Sequence, residues 1–165
     1  MRKSSIAFLA IATAMLVAVA GAAPAGAANT RVSGNQTPDL GATCPETSLG
    51  TYTMDGGLVG CWYTDDISVV REHPSGAVQL KGTEHFVGCL DLGGDASCTG
   101  DPTGIIRFAF QFSGTFDLDT FAEIRGRCEH LVVSGTGDFT DAGGVITFMD
   151  DVTTGIATSS GNVRL

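Results

Sequence analysis

Residues 104–117 read GIIRFAFQFSGTFD. Ile106, Phe108, Phe110 and Phe112 recur at every second position, with Arg107 and Gln111 between them. Successive side chains of a strand point to opposite faces, so the three rings share one side and the polar residues the other. Burying a ring of this size contributes roughly 1.5–3 kcal/mol. The ring-bearing face is therefore internal, and the chain is read as a sheet protein from this stretch outward.

The neighbouring segments repeat the pattern. GLVGCWYTDDISVV (57–70), AVQLKGTEHFVGCLD (77–91), AEIRGRCEHLVVSG (122–135), GVITFMDD (144–151) and GIATSSGNVRL (155–165) read as strands. Clusters of Gly, Pro, Asp and Ser separate them. No segment has a helical period of 3.6. Six or more strands with short connectors predict an all-β fold, a closed antiparallel barrel or a sandwich.

Two of these strands carry the chemistry. In the second, Val78, Leu80, Gly82, Glu84, Phe86 and Gly88 share a face. In the fourth, Ile124, Gly126, Cys128, His130 and Val132 align, opposed by Glu123, Arg125, Arg127 and Glu129. Two ionisable groups, Glu84 and His130, thus fall on inward faces beside a thiol. Groups so placed find partners or shift their pKa. Gly82, Gly88 and Gly126 leave room on those faces, and rings with small residues and a few polar groups are what a lined cavity requires. Glu84 and His130 are the candidate catalytic pair, and Phe86, Phe108, Phe110 and Phe112 the candidate ligand-binding rings. The competing reading is a core histidine whose glutamate partner serves only to satisfy it.

The N-terminus reads as a secretory signal over 1–28. Arg2 and Lys3 precede an uncharged run from Ile6 to Ala20, and small residues around Pro24 offer a cleavage site. The run is shorter than the roughly 20 apolar residues of a span, so no stable membrane anchor remains after cleavage. Residues 29–50 have little periodicity and read as a flexible arm, leaving a single barrel domain over 51–165. Without Arg2 and Lys3, 7 basic residues face 18 acidic ones, a net charge of −11. Such a surface repels phosphate backbones, which excludes nucleic acid as a partner.

Five cysteines in an oxidising compartment imply two disulfides and one free thiol. Spacing leaves several pairings open. The preferred one joins Cys89 to Cys98 across a turn-like insert and Cys44 to Cys61, leaving Cys128 free. Cys128 and His130, at i and i+2 on one face, are expected roughly 6–7 Å apart, too far for a nucleophile and its base.

The piece VSGTGDFTDAGG (133–144) resembles the G-T-G-x-F-x-x-A-x-G signature of the allene oxide cyclase and dirigent barrels, matched by Gly135, Thr136, Gly137, Phe139, Ala142 and Gly144. The chain also looks like small secreted actinobacterial proteins that carry this barrel-like domain. The resemblance implies an eight-stranded closed antiparallel barrel with an elongated apolar cavity, a homo-oligomer, often a trimer, and cofactor-free steering of small hydrophobic compounds.

Other chemistries find less support. The single glycine- and aspartate-rich turn lacks the tandem copies a calcium solenoid needs. His85 and His130 fall on opposite faces, against a three-histidine zinc site, and no G-x-S-x-G elbow occurs. Asp65–Asp66 and Asp150–Asp151 read as solvated strand ends, and Trp62–Tyr63 as one core and one surface aromatic. No metal and no cofactor is expected. The favoured function is a secreted, extracellular barrel that binds a small hydrophobic molecule in its lumen, with cyclisation or isomerisation as the reaction it would support. The alternative is a non-enzymatic extracellular structural or interaction protein with a solid core.

Overall fold

Alternating apolar positions become one continuous wall in the structure, a computed structural model that describes residues 29–41 and 43–165. The signal-like segment 1–28 lies outside the described residues. Eight strands occupy the described chain: β1 Asn29–Pro38, β2 Gly50–Gly56, β3 Leu58–Glu72, β4 Ala77–Leu90, β5 Thr103–Phe116, β6 Glu123–Gly137, β7 Gly143–Asp151 and β8 Ile156–Arg164. Each pairs antiparallel with the next, and β1 pairs with β8, so the sheet closes into a barrel without free edges.

Closure depends on a segment expected to be a flexible arm. Asn29–Pro38 is strand β1, paired over Asn29–Gln36 with β8 and over Gly34–Pro38 with β2. It was illegible as a strand because Val32 is its single buried apolar residue, so no hydrophobic period exists. The barrel therefore begins at Asn29 rather than at residue 51. The following loop is held against the outer wall by the Cys44–Cys61 disulfide. Glu46 of that loop reaches His85 Nε2 (3.3 Å), while Asp65 takes His85 Nδ1 (2.8 Å). His85 stacks on Tyr63 at 4.8 Å, and Tyr63, expected at the surface, is buried.

The lumen has two unlike halves. At the end formed by the start of β3 and β5 and the close of β4 and β6, Leu58, Trp62, Phe86, Leu90, Ile106 and Phe108 pack solidly. Trp62 stacks on Phe108 at 4.4 Å. Phe139 plugs this end, fully buried. The turn from β6 to β7 folds it back over Gly135, where a Cβ would strike the Phe139 backbone. Gly137 takes φ +64° in that turn, the left-handed conformation glycine adopts without cost. The glycine-rich signature thus seats Phe139 in this end of the barrel.

Inward glycines make room for rings rather than for empty space. A Cβ at Gly82 would collide with the Phe110 ring and the Asp66 carbonyl, one at Gly88 with the Phe86 ring, and one at Gly114 with the Phe112 ring. Cavity volume comes instead from the other half of the barrel.

Candidate functional site

Glu84 sits mid-barrel because β4 places it between Thr64 of β3 and Phe108 of β5. The period-two reading is right here: Glu84 and His130 are both buried and face the lumen, at 8% and 3% exposure. Both Glu84 oxygens are engaged. Thr64 Oγ1 donates to Oε1 over 2.8 Å, and Trp62 Nε1 donates to Oε2 over 2.6 Å. His130 Nε2 lies 2.7 Å from the same Oε2. A carboxylate only accepts, so Nε2 carries the proton in this contact. These donors offset the desolvation that an isolated buried carboxylate would suffer.

His130 is oriented by its surroundings. Trp62, Phe108 and Phe148 meet its ring edge-on, at centroid distances of 5.1, 6.0 and 4.8 Å. Its Nδ1 is buried with no hydrogen-bond partner among the described residues. In a neutral imidazole with its proton on Nε2, Nδ1 presents a lone pair.

Above this pair opens a cavity of about 220 Å³. Tyr52, Thr64, Leu80, Glu84, Phe110, Phe112, Phe116, Cys128, His130, Phe148, Glu123 and Asp150 are among its lining residues. Of the four rings expected to bind ligand, Phe110 and Phe112 line the cavity. Phe86 and Phe108 belong to the packed half and support Trp62 instead.

Two lining groups differ from expectation, and a third drew none. The period-two count puts Ile124 inward and Glu123 outward. In the structure Ile124 is exposed and Glu123 lines the cavity, because the register slips between Thr115 and Phe116 so that Phe116 faces Glu123. One residue of slip exchanges the two faces. Asp150, expected as a solvated strand end, lines the cavity as well. Tyr52, from the strand that follows the misread arm, is the third; burial, then the Glu84 charge, raise its phenol, which stays a hydroxyl donor.

Glu123 and Asp150 converge over Gly126, where any Cβ would strike Glu123 Oε1, Asp150 Oδ2 and the Phe112 ring. Burial first, then the Asp150 charge and hydrogen bond, push the Glu123 carboxyl up to about 7. Glu123 Oε1 is buried and unpartnered among the described residues.

Cys128 is the free cysteine, and the Cys89–Cys98 and Cys44–Cys61 disulfides form as expected. Its sulfur lies 3.5 Å from His130 Nε2, closer than the Cβ spacing suggests. Burial, reinforced by the Glu84, Asp150 and Glu123 charges, raises the thiol well above its ordinary pKa. A thiol held protonated is a poor nucleophile, so proximity does not make a catalytic dyad.

The two disulfides fit an extracellular protein. Among the described residues no helix is long and apolar enough to cross a membrane. No protein-family model, curated protein or solved structure matches the chain.

Proposed function

We propose that the protein is secreted and binds a small, largely apolar molecule in the open half of its lumen. The observation that carries this reading is the cavity itself. It ends on a buried carboxylate–imidazole pair whose remaining nitrogen, Nδ1, has no hydrogen-bond partner among the described residues. A core histidine placed only for packing has no need of a lined void beside it. An apolar cavity of about 150 Å³ admits benzene, so about 220 Å³ suits one substituted ring. This is below the roughly 300–1,000 Å³ of drug-sized sites.

Glu84 is the positioning residue in this reading. Its oxygens are occupied by Thr64, Trp62 and His130, and it fixes the imidazole that meets the ligand. The reaction such a site supports is cofactor-free isomerisation or cyclisation, in which His130 takes one ligand proton and returns it elsewhere on the same molecule. The resemblance to allene oxide cyclase and dirigent barrels points the same way. The solid-core alternative accounts for the Trp62 half of the barrel but not for the lined void.

The test is a titration of the mature protein with benzyl alcohol, read by the fluorescence of Trp62, the single tryptophan. Saturable change is expected, weakened about five- to tenfold in His130→Ala and Glu84→Gln, as loss of one buried hydrogen bond implies. Unchanged affinity in both folded variants would remove these residues from the site.

A further inference from the structure

The cavity holds acidic groups in excess. Glu123 and Asp150 lie together at one side of it, and no lysine or arginine is among the described residues that line it. Phe112 and Phe116 stand beside them, their ring centroids 6.2 Å apart. Phenyl faces and carboxylates share one preference: both attract cations and disfavour anions.

Resting on the reading of this cavity as a ligand site, we propose that the Glu123–Asp150 pair makes it selective for a small ring bearing a protonated amine, and against carboxylates. Two atoms indicate unfilled bonding capacity. Among the described residues, Glu123 Oε1 is buried without a hydrogen-bond partner, and His130, 3% exposed on the same cavity, has an unpartnered Nδ1. The first suits an ammonium donor and the second a neutral donor elsewhere on the ligand. Burial, then the charge and hydrogen bond of Asp150, shift Glu123 toward its neutral form, and the charge part is a repulsion between the two carboxylates. An ammonium placed between them would relieve that repulsion, a gain a neutral ligand does not offer. The other titratable groups facing the cavity are Tyr52 from β2, Glu84 from β4, and Cys128 and His130 from β6. Of these only the imidazole can become cationic, so a ligand carboxylate would meet two or more negative groups.

The experiment compares benzylamine, benzyl alcohol and benzoate at pH 8, read by Trp62 fluorescence. Benzylamine should bind at least about tenfold more tightly than benzyl alcohol, and benzoate at least about tenfold more weakly. The benzylamine advantage should vanish in Glu123→Gln/Asp150→Asn and shrink in Asp150→Asn alone, with near-UV circular dichroism reporting an intact fold. Benzyl alcohol binding as well as or better than benzylamine would overturn the selectivity while leaving the cavity reading intact. Failure of all three to bind would overturn both.

Discussion

Trp62 Nε1 donates to Glu84 Oε2 across 2.6 Å, where the packed half of the barrel meets the open half. Trp62 stacks on Phe108 from below, and the carboxylate it holds orients His130. The solid end therefore serves the cavity, fixing the position of the one buried carboxylate at its base. Replacing Trp62 with Phe removes a donor and leaves Glu84 undersatisfied. The expected cost is about 1–3 kcal/mol, measured by denaturant unfolding. Glu84→Leu strands Trp62 Nε1, Thr64 Oγ1 and His130 Nε2 together, and should cost about 3–5 kcal/mol.

Stability should depend on pH through Glu123. Its carboxyl titrates near 4.5 when unfolded and about 7 when folded. Between these values the folded chain holds a proton that the unfolded chain has released. The contribution is complete below about 4.5 and is lost as pH rises through about 7. Thermal midpoints from pH 4.5 to 8 should show this decline, and Glu123→Gln should flatten it and melt above the parent at pH 8. Equal slopes for parent and variant would place the titration elsewhere.

Cys128 should resist modification. A chromogenic disulfide reagent at pH 8 should label no thiol in the native protein and one per chain in denaturant, since burial and nearby carboxylates keep the sulfur protonated. Rapid native labelling would contradict the reading of this thiol as protonated and a poor nucleophile.

The Cys44–Cys61 disulfide, spanning 17 residues, should contribute about 3 kcal/mol by the chain-entropy relation. Cys44→Ser/Cys61→Ser, followed by chemical unfolding, measures it. The loop that carries Glu46 over His85 should also become more sensitive to protease.

Gly82→Ala tests whether inward glycines serve the rings. Its Cβ would meet the Asp66 carbonyl and the Phe110 ring, so overpacking of about 1–3 kcal/mol is expected in the unfolding midpoint. A neutral effect would mean that the wall has slack the structure does not display.

The fold was legible wherever apolar side chains alternate without interruption. Ile106 to Phe112 and Val78 to Gly88 carry a period of two and lie as read, and Glu84 and His130 followed from the same count. What escaped lies where counting breaks. The slip opposite Phe116 reversed Glu123 and Ile124, and no residue type in the hairpin announces it. Strand β1 is polar on both faces except at Val32; its pairing is set by closure with β8 rather than by its own pattern. The division of the lumen was also invisible, because Phe86, Phe108, Phe110 and Phe112 share a type and a face, and only their height in the barrel separates core from cavity.

The most direct test of an open half above a packed half is the location of a bound ring. Intermolecular nuclear Overhauser effects from benzyl alcohol should reach Leu80, Phe110 and Phe112 and be absent at Leu58 and Val163. Contacts confined to Leu131 and Val145 on the outer wall, or none at saturating ligand, would contradict the account.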